Sequence, residues 1–432
     1  MYFQQLADRL AKHPNIRAWR LTWHEGRSMG IGIRDNEVGN VYGPPSYADG
    51  RGGSYLVQWD DERLSRGNVD GNTLVHFDDI VAAARQAAYD DPDAANFLGP
   101  QTYPTLETYA PETATLISEG ADRLLAVLSA ILDPQQAYEI RTVNGNVSGS
   151  EGRGGVITSA GLEVETQSTG FGYSYGYDGQ VYDGFGQRAP YSLAEIEGQI
   201  ARTCLYLPPL RQEVELGDNG VRPVLLHPRV VSSFLGQFVW ANLSGSQVFH
   251  EQSAFRKADF AERKQVFRDD IRLVVDPLQP MRAGTFTFTS AGLPARRQVY
   301  VEDGCLQSPT LGLKYARRLG LPATTPPGGR ETVEFSDGDP LQYDEALVAA
   351  EGGVLILSML GMHTQDSSRA DYSLSVPQGL LIRGGRPAGR VKVEINGNFF
   401  ANLRDPALRF VRFPAQPGLG AIFPCNVTTG GR

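Results

Sequence analysis

Cysteine is scarce in this chain: Cys204, Cys305 and Cys425 are widely separated among 432 residues and form no CxxC pair. An odd, sparse set gives no disulfide framework and suits a reducing compartment. In such a compartment the sequons at Asn146, Asn242 and Asn426 carry no glycan. Positive charge is not in excess either. Lysine and arginine total 40 against 49 acidic residues, a net charge of −9, which opposes binding to a phosphate backbone and excludes a nucleic-acid reader. Long apolar runs are missing as well. Leu124–Leu132 and Val354–Met362 fall short of the ~20 residues a bilayer span needs. The opening stretch, MYFQQLADRLAKH, places Asp8, Arg9 and Lys12 where a secretory signal would be apolar. The expectation is a cytoplasmic protein with no membrane partner.

Histidine is also rare, with six in all: His13, His24, His76, His227, His250 and His363. His24-Glu25 and His250-Glu251 open like a zinc-peptidase signature, but Ser28, Met29, Ala254 and Phe255 follow at the ligand spacings. Gly172-Tyr-Ser-Tyr-Gly176 matches G-x-S-x-G in letters only, since the run that holds it opens no helix and a nucleophile elbow is a strand-to-helix turn. The run Gly170-Phe-Gly-Tyr-Ser-Tyr-Gly-Tyr has glycines but no lysine and opens no helix, so it reads as an aromatic strand rather than a phosphate cradle.

What the chain does have is an apolar fraction of 41% with 21% charged residues, a globular balance. It also has 49 glycines and 27 prolines, above the roughly 52 expected of an average composition, which points to turns and β structure. Apolar spacing predicts helices over the first thirteen residues, Asp78–Tyr89, Pro111–Asp133 and Ser192–Cys204. Strands are expected at Ile16–Trp23, Gly30–Ile33 and Ser54–Trp59, and again between Gln136 and Tyr182. The polar, aperiodic stretch from Pro208 to Arg222 marks a domain boundary.

The second half opens with a buried strand, Pro223–Leu226, and a helix from Pro228 whose apolar face is Val230, Val231, Phe234, Leu235, Phe238 and Val239. Strands are expected at Ile271–Val275, Thr285–Thr289, Gln298–Val301, Val354–Leu357, Ser373–Ile382 and Val391–Ile395. Short helices should fall at Leu311–Leu319 and Leu341–Ala349. Mixed elements without strict alternation predict an α+β fold. Residues 1–208 would form an α/β-like N-terminal domain and residues 222–432 a β-rich C-terminal one.

One segment stands out for chemistry. A buried strand, Leu355-Ile-Leu-Ser-Met-Leu-Gly-Met, delivers His363 into a polar loop, and Asp371 and Ser373 follow. Loops on rigid scaffolds often carry recognition. The segment, as Gly361-Met-His363, Ala370-Asp371-Tyr372-Ser373, Gly379-Leu-Leu-Ile382-Arg-Gly-Gly385 and Val391-Lys-Val-Glu-Ile-Asn-Gly397-Asn398, resembles the TldD/PmbA family in its TldE (PmbA) branch. Further matches are Val301-Glu-Asp-Gly304, Lys314-Tyr-Ala-Arg-Arg-Leu-Gly320 and Val224-Leu-Leu-His-Pro-Arg-Val-Val-Ser-Ser-Phe-Leu-Gly236. The resemblance covers about Pro223 to Leu403. Arg383, Arg386 and Ala370 depart from it, standing where acidic residues and a glycine are usual.

The resemblance implies one subunit of a two-chain zinc metallopeptidase acting on unfolded peptides. In that system the TldD-type chain carries HExxxH on the helix after the strand, and a downstream cysteine. The TldE-type chain lacks them and helps enclose the substrate channel. The positions corresponding to HExxxH here are Gly236, Gln237 and Ala241. Glycine and alanine have no lone pair for a metal, and an amide is not a base. The resemblance therefore implies no catalytic residue and no metal in this chain, with zinc in the partner chain. Candidates for lining a channel are Trp240, His363, Asp371 and Ser373. The partner is a TldD-type chain, forming a heterodimer. Alternatives are a stand-alone peptide-binding homodimer without protease activity, or an enzyme with ligands relocated to His363, His250 and Asp371.

Overall fold

A computed structural model describes residues 2–119, 121–329, 333–335 and 339–430. Its mixture of helices and strands without strict alternation is the α+β fold. The first half is built on one large antiparallel sheet. Its order is Leu64–Val69, Ser46–Trp59, Ile16–Arg34, Val143–Thr158, Glu163–Tyr177 and Val181–Gln187, with Glu37–Val38 added beside the end of Ile16–Arg34. Ile16–Trp23 and Gly30–Ile33, expected as two strands, form one. His24 to Met29 pair on both sides, with Gly52 to Tyr47 and with Gly154 to Gly149. Glycine neighbours on both sides let these backbones approach without side-chain obstruction.

The expected helix over Pro111–Asp133 is two helices, Pro111–Glu119 and Asp122–Leu132. The sequence places Gly120 between them, a residue that costs about 1 kcal/mol in a helix interior. Leu193–Cys204 begins at a capping box. The Ser192 hydroxyl accepts from Glu195 N, and the Glu195 carboxylate accepts from Ser192 N. Its buried apolar residues, Ile196, Ile200 and Cys204, are spaced by four.

In the second half, Gly220–Leu226 pairs in parallel with Val354–Ile356, and the order continues through Asp371–Arg383, Arg386–Asn398 and Gly420–Thr429. Gly420–Thr429 also pairs with Gly220–Leu226, so the five strands close into a ring. Closure removes the edges a sheet otherwise exposes. Arg409–Arg412 and Leu341–Gln342 extend the sheet beyond the ring. A smaller antiparallel sheet joins Cys305–Leu306, Gln298–Glu302, Leu273–Val275 and Val333–Phe335.

The Thr285–Thr289 stretch, expected as a strand, is irregular. Thr285 Oγ1 bonds the Gln279 carbonyl, and Thr289 Oγ1 accepts from Ala291 N and Leu293 N. Local hydroxyl bonds replace the ladder there. The helices expected at Leu311–Leu319 and Leu341–Ala349 begin later, at Leu313 and Tyr343. Leu311 N bonds the Thr324 hydroxyl instead, and Leu341–Gln342 pairs in the sheet.

Alternation on the ring strands builds two cores. Val224, Leu226, Ile356, Leu374 and Phe423 pack with the helix that starts at Pro228. Leu225, Leu355, Leu380 and Ile422 face the other way, onto Leu128, Tyr175, Ile196 and Leu207 of the first half. One continuous apolar cluster thus spans residues from both halves.

Candidate functional site

The Gly220–Leu226 strand hands directly to a helix. His227 is extended (φ −62°, ψ 148°), and its Nδ1 accepts from Arg229 N at 3.3 Å. Pro228 occupies the first helical position, where its missing N–H costs nothing. The helix is regular over Pro228–Phe234, widens into a π-helical turn over Leu235–Trp240 and closes with Ala241–Leu243. Its buried face is the one periodicity predicts, and Phe234 locks it in place. The Phe234 ring lies edge-on to Tyr372 at 5.0 Å and tilts against Phe399 at 4.9 Å.

The π turn matters for spacing. Its i→i+5 bonds widen the turn, so residues five apart, such as Gly236 and Ala241, lie nearer to one face than in an α-helix. An α-helix would separate such a pair. Gly236 opens onto free space, with no atom beyond its own helix backbone within 4 Å of where its Cβ would stand.

Gln237 lies between them and is engaged elsewhere. Its Nε2 donates to the Gln365 carbonyl at 2.9 Å. Asn242, only 2% exposed, donates to the Ser367 carbonyl and the Phe238 carbonyl, both at 2.7 Å. Its own amide oxygen accepts from Ala254 N at 2.6 Å. Two amides thus strap the loop carrying His363 onto the helix. Asn242 was not foreseen as a site residue. A polar side chain one position before the last apolar residue of a buried face was the available signal.

His363 sits in a single 3₁₀ turn, Met362–Thr364, and is exposed. Gln365 closes this loop by donating to the Gly361 carbonyl at 2.8 Å and accepting from Ser373 N at 3.0 Å. Asp371 is exposed and accepts from Asn398 Nδ2 at 2.8 Å; Ser373 is exposed beside it on the same strand. Ala370, where the resemblance has glycine, is buried with φ 57°. That left-handed conformation accounts for glycine there.

Trp240 is placed apart from these three. It lies edge-on to Tyr300 at 5.2 Å and lines a cavity of about 590 Å³ with Val231, Leu235, Phe335 and Arg412. His363, Asp371 and Ser373 do not line that cavity.

Gly236, Gln237 and Ala241 do not fit a zinc ion, since together they offer one amide and no basic donor. His250, His363 and Asp371 are not brought together. Among the described residues no three His, Cys, Asp or Glu side chains cluster as a metal site. Cys204 and Cys425 are buried thiols and Cys305 is half-buried. No described helix is long and apolar enough to cross a membrane.

Residues 219–408 match the family described as the PmbA/TldA metallopeptidase C-terminal domain. A metalloprotease of Archaeoglobus fulgidus is 25% identical over 58% of this chain, and the match spans 60% of that protein's own length. In overall fold the chain is similar to TldE from Thermococcus kodakarensis, with a TM-score of 0.79, 15% identity and 99% of both chains covered. It is equally similar to a candidate modulator of DNA gyrase from Bacteroides thetaiotaomicron, with a TM-score of 0.79, 17% identity and 98% of both chains covered.

Proposed function

As this chain is a member of the TldD/PmbA family, a family of metallopeptidase type, we propose that it is a zinc-free, TldE-type subunit of a two-chain peptidase. In this reading it shapes the channel through which unfolded peptides reach a metal held by a TldD-type partner. The observation that carries it is the state of the Leu235–Trp240 π turn. A π turn brings residues five apart nearer to one face than an α-helix would, yet Gly236 and Ala241 bring no lone pair.

The residue between them supports the same reading. A general base at position 237 would need a free carboxylate aimed at bound water. Gln237 instead spends its amide on the Gln365 carbonyl, a bond an ionised glutamate could not donate. Chemistry has been exchanged for a structural tie.

The test is reconstitution. The chain alone should neither cleave an unfolded peptide nor carry stoichiometric zinc by elemental analysis. A TldD-type chain should co-purify from the native cell, and adding it should give chelator-sensitive cleavage. Cleavage by this chain unaided would overturn the proposal. So would recovery solely as a homodimer with no such partner, which would favour stand-alone peptide binding.

A further inference from the structure

We infer that a cavity of about 380 Å³ between the two halves is a binding site for a small carboxylate with a flat apolar body. The cavity is separate from the Gly236–Ala241 face, and the inference does not depend on the peptidase reading. Segments distant in sequence converge on it: the Tyr182–Asp183 strand, the end of the Leu193–Cys204 helix, the His227–Arg229 junction, Tyr343 and Phe413. Junctions of this kind are common places for ligand pockets, and the volume lies at the small end of their range. It would hold one ring and a short chain.

The walls are predominantly rings and aliphatic groups, namely Tyr182, Tyr206, Tyr343, Phe413, Leu205 and Leu357. Tyr206 and Tyr343 share a hydrogen bond. Burial holds the Tyr206 hydroxyl well above its ordinary range and pushes Tyr343 up to about 12, so both stay neutral. Such walls favour a planar apolar body.

Gln180, Thr203, His227 and Ser358 also line it, and among its charged groups Asp183 and Arg229 are the least exposed pair. Asp183, 3% exposed, accepts from Gly184 N at 2.9 Å and from the Gln416 amide. Arg229 stands 3.6 Å away, close enough for charge pairing but too far for a direct hydrogen bond. One face of its guanidinium stacks on the Tyr182 ring at 3.5 Å, and one N–H goes to the Tyr182 carbonyl. Five N–H groups sit on that fork, and its side chain is 13% exposed. A desolvated, stacked guanidinium with donors to spare matches a carboxylate in geometry as well as in charge. Asp183 already takes two protein donors, so an ammonium ligand has less to gain. Arg202 and Asp344 stand exposed among the lining residues and offset one another.

The chemistry could come from a free aromatic acid or from the C-terminal residue of a peptide. Titration of the full chain, followed by ligand-observed NMR, distinguishes the two. The probes are 3-phenylpropionate, N-acetyl-glycyl-phenylalanine, 3-phenylpropionamide and 3-phenylpropylamine. At least one acid should bind at about 10 mM or tighter, and whichever acid binds better identifies the source. The amide and the amine should bind at least about tenfold more weakly.

Leu205 is 64% exposed, so Leu205→Trp should fold and abolish binding by filling the cavity. Arg229→Gln combined with Asp183→Asn avoids leaving a lone buried charge, and should remove the preference for acid over amide. Equal binding of acid, amide and amine would overturn the inference. Acid binding unaffected by Leu205→Trp would do the same, as would silence from both acids.

Discussion

A methyl group on Gly26, in the middle of the Ile16–Arg34 strand, would stand 2.4 Å from the Glu151 carbonyl oxygen and 2.8 Å from the Gly152 α-carbon. On Gly236, in the helix of the second half, the same methyl would meet nothing within 4 Å. The two glycines are alike in sequence and opposite in cause. At Gly26 the missing side chain is what allows neighbouring strands to close on one another. At Gly236 folding of this chain makes no comparable demand, and glycine in a helix interior is a cost of about 1 kcal/mol. Packing explains the glycine in the N-terminal sheet, and it does not explain the one in the helix.

The largest expected effect tests the first half of that comparison. Gly26→Ala forces backbone atoms apart and should destabilise the chain by about 3 kcal/mol or more. The control is its own strand partner. Gly50 pairs with Gly26, and a Cβ there meets nothing within 4 Å. Gly50→Ala should stay within about 0.5 kcal/mol of the parent. Chemical denaturation midpoints would read both. Equal losses at the two positions would break the close-approach account.

A smaller effect tests the strap over the helix. Gln237→Glu replaces a donor with an acceptor facing the Gln365 carbonyl, at a cost of about 1–3 kcal/mol. The sign with pH follows from the ionised form being the disfavoured one. The folded-state pKa of the introduced carboxyl should lie above its unfolded value. Protonated, it can donate as the amide did, so stability is preserved below about pH 4.3 and lost as pH rises through the folded-state pKa. Unfolding midpoints at pH 4 and pH 7 should therefore diverge for the variant beyond any drift in the parent. No divergence would mean that the amide bond carries no weight.

The sequence revealed these features unevenly. Period-four and period-three spacing marked the helices at Leu193–Cys204 and Pro228–Phe234 because their buried faces are local. Ring closure was not legible, since Gly220–Leu226 and Gly420–Thr429 lie about two hundred residues apart and their pairing leaves no local pattern. Family resemblance located Gly236, Gln237 and Ala241, but the π turn beneath them was hidden, since helical propensity does not separate i+4 from i+5 bonding. Gln237 meets Gln365 only through the tertiary fold. The junction cavity left still less trace. Asp183, Arg229 and Phe413 belong to three remote segments, and each alone reads as an ordinary strand, helix or loop residue.

The smallest expected effect bears most directly on the second glycine. Gly236→Ala should leave the isolated chain unharmed or raise its stability by up to about 1 kcal/mol, because a helix gains from alanine and no neighbour has to move. Thermal unfolding of parent and variant decides it. A loss of about 1 kcal/mol or more would show that the absent side chain is a packing requirement after all, and the contrast with Gly26 would fail. A gain would mean that this chain forgoes helix stability at the very position where the proposed function puts a lost metal ligand. The bulkier Gly236→Trp then sharpens the result. If it leaves the isolated chain folded but prevents recovery of the proposed TldD-type partner, the open space above Gly236 is where that second chain, rather than a metal, makes its contact.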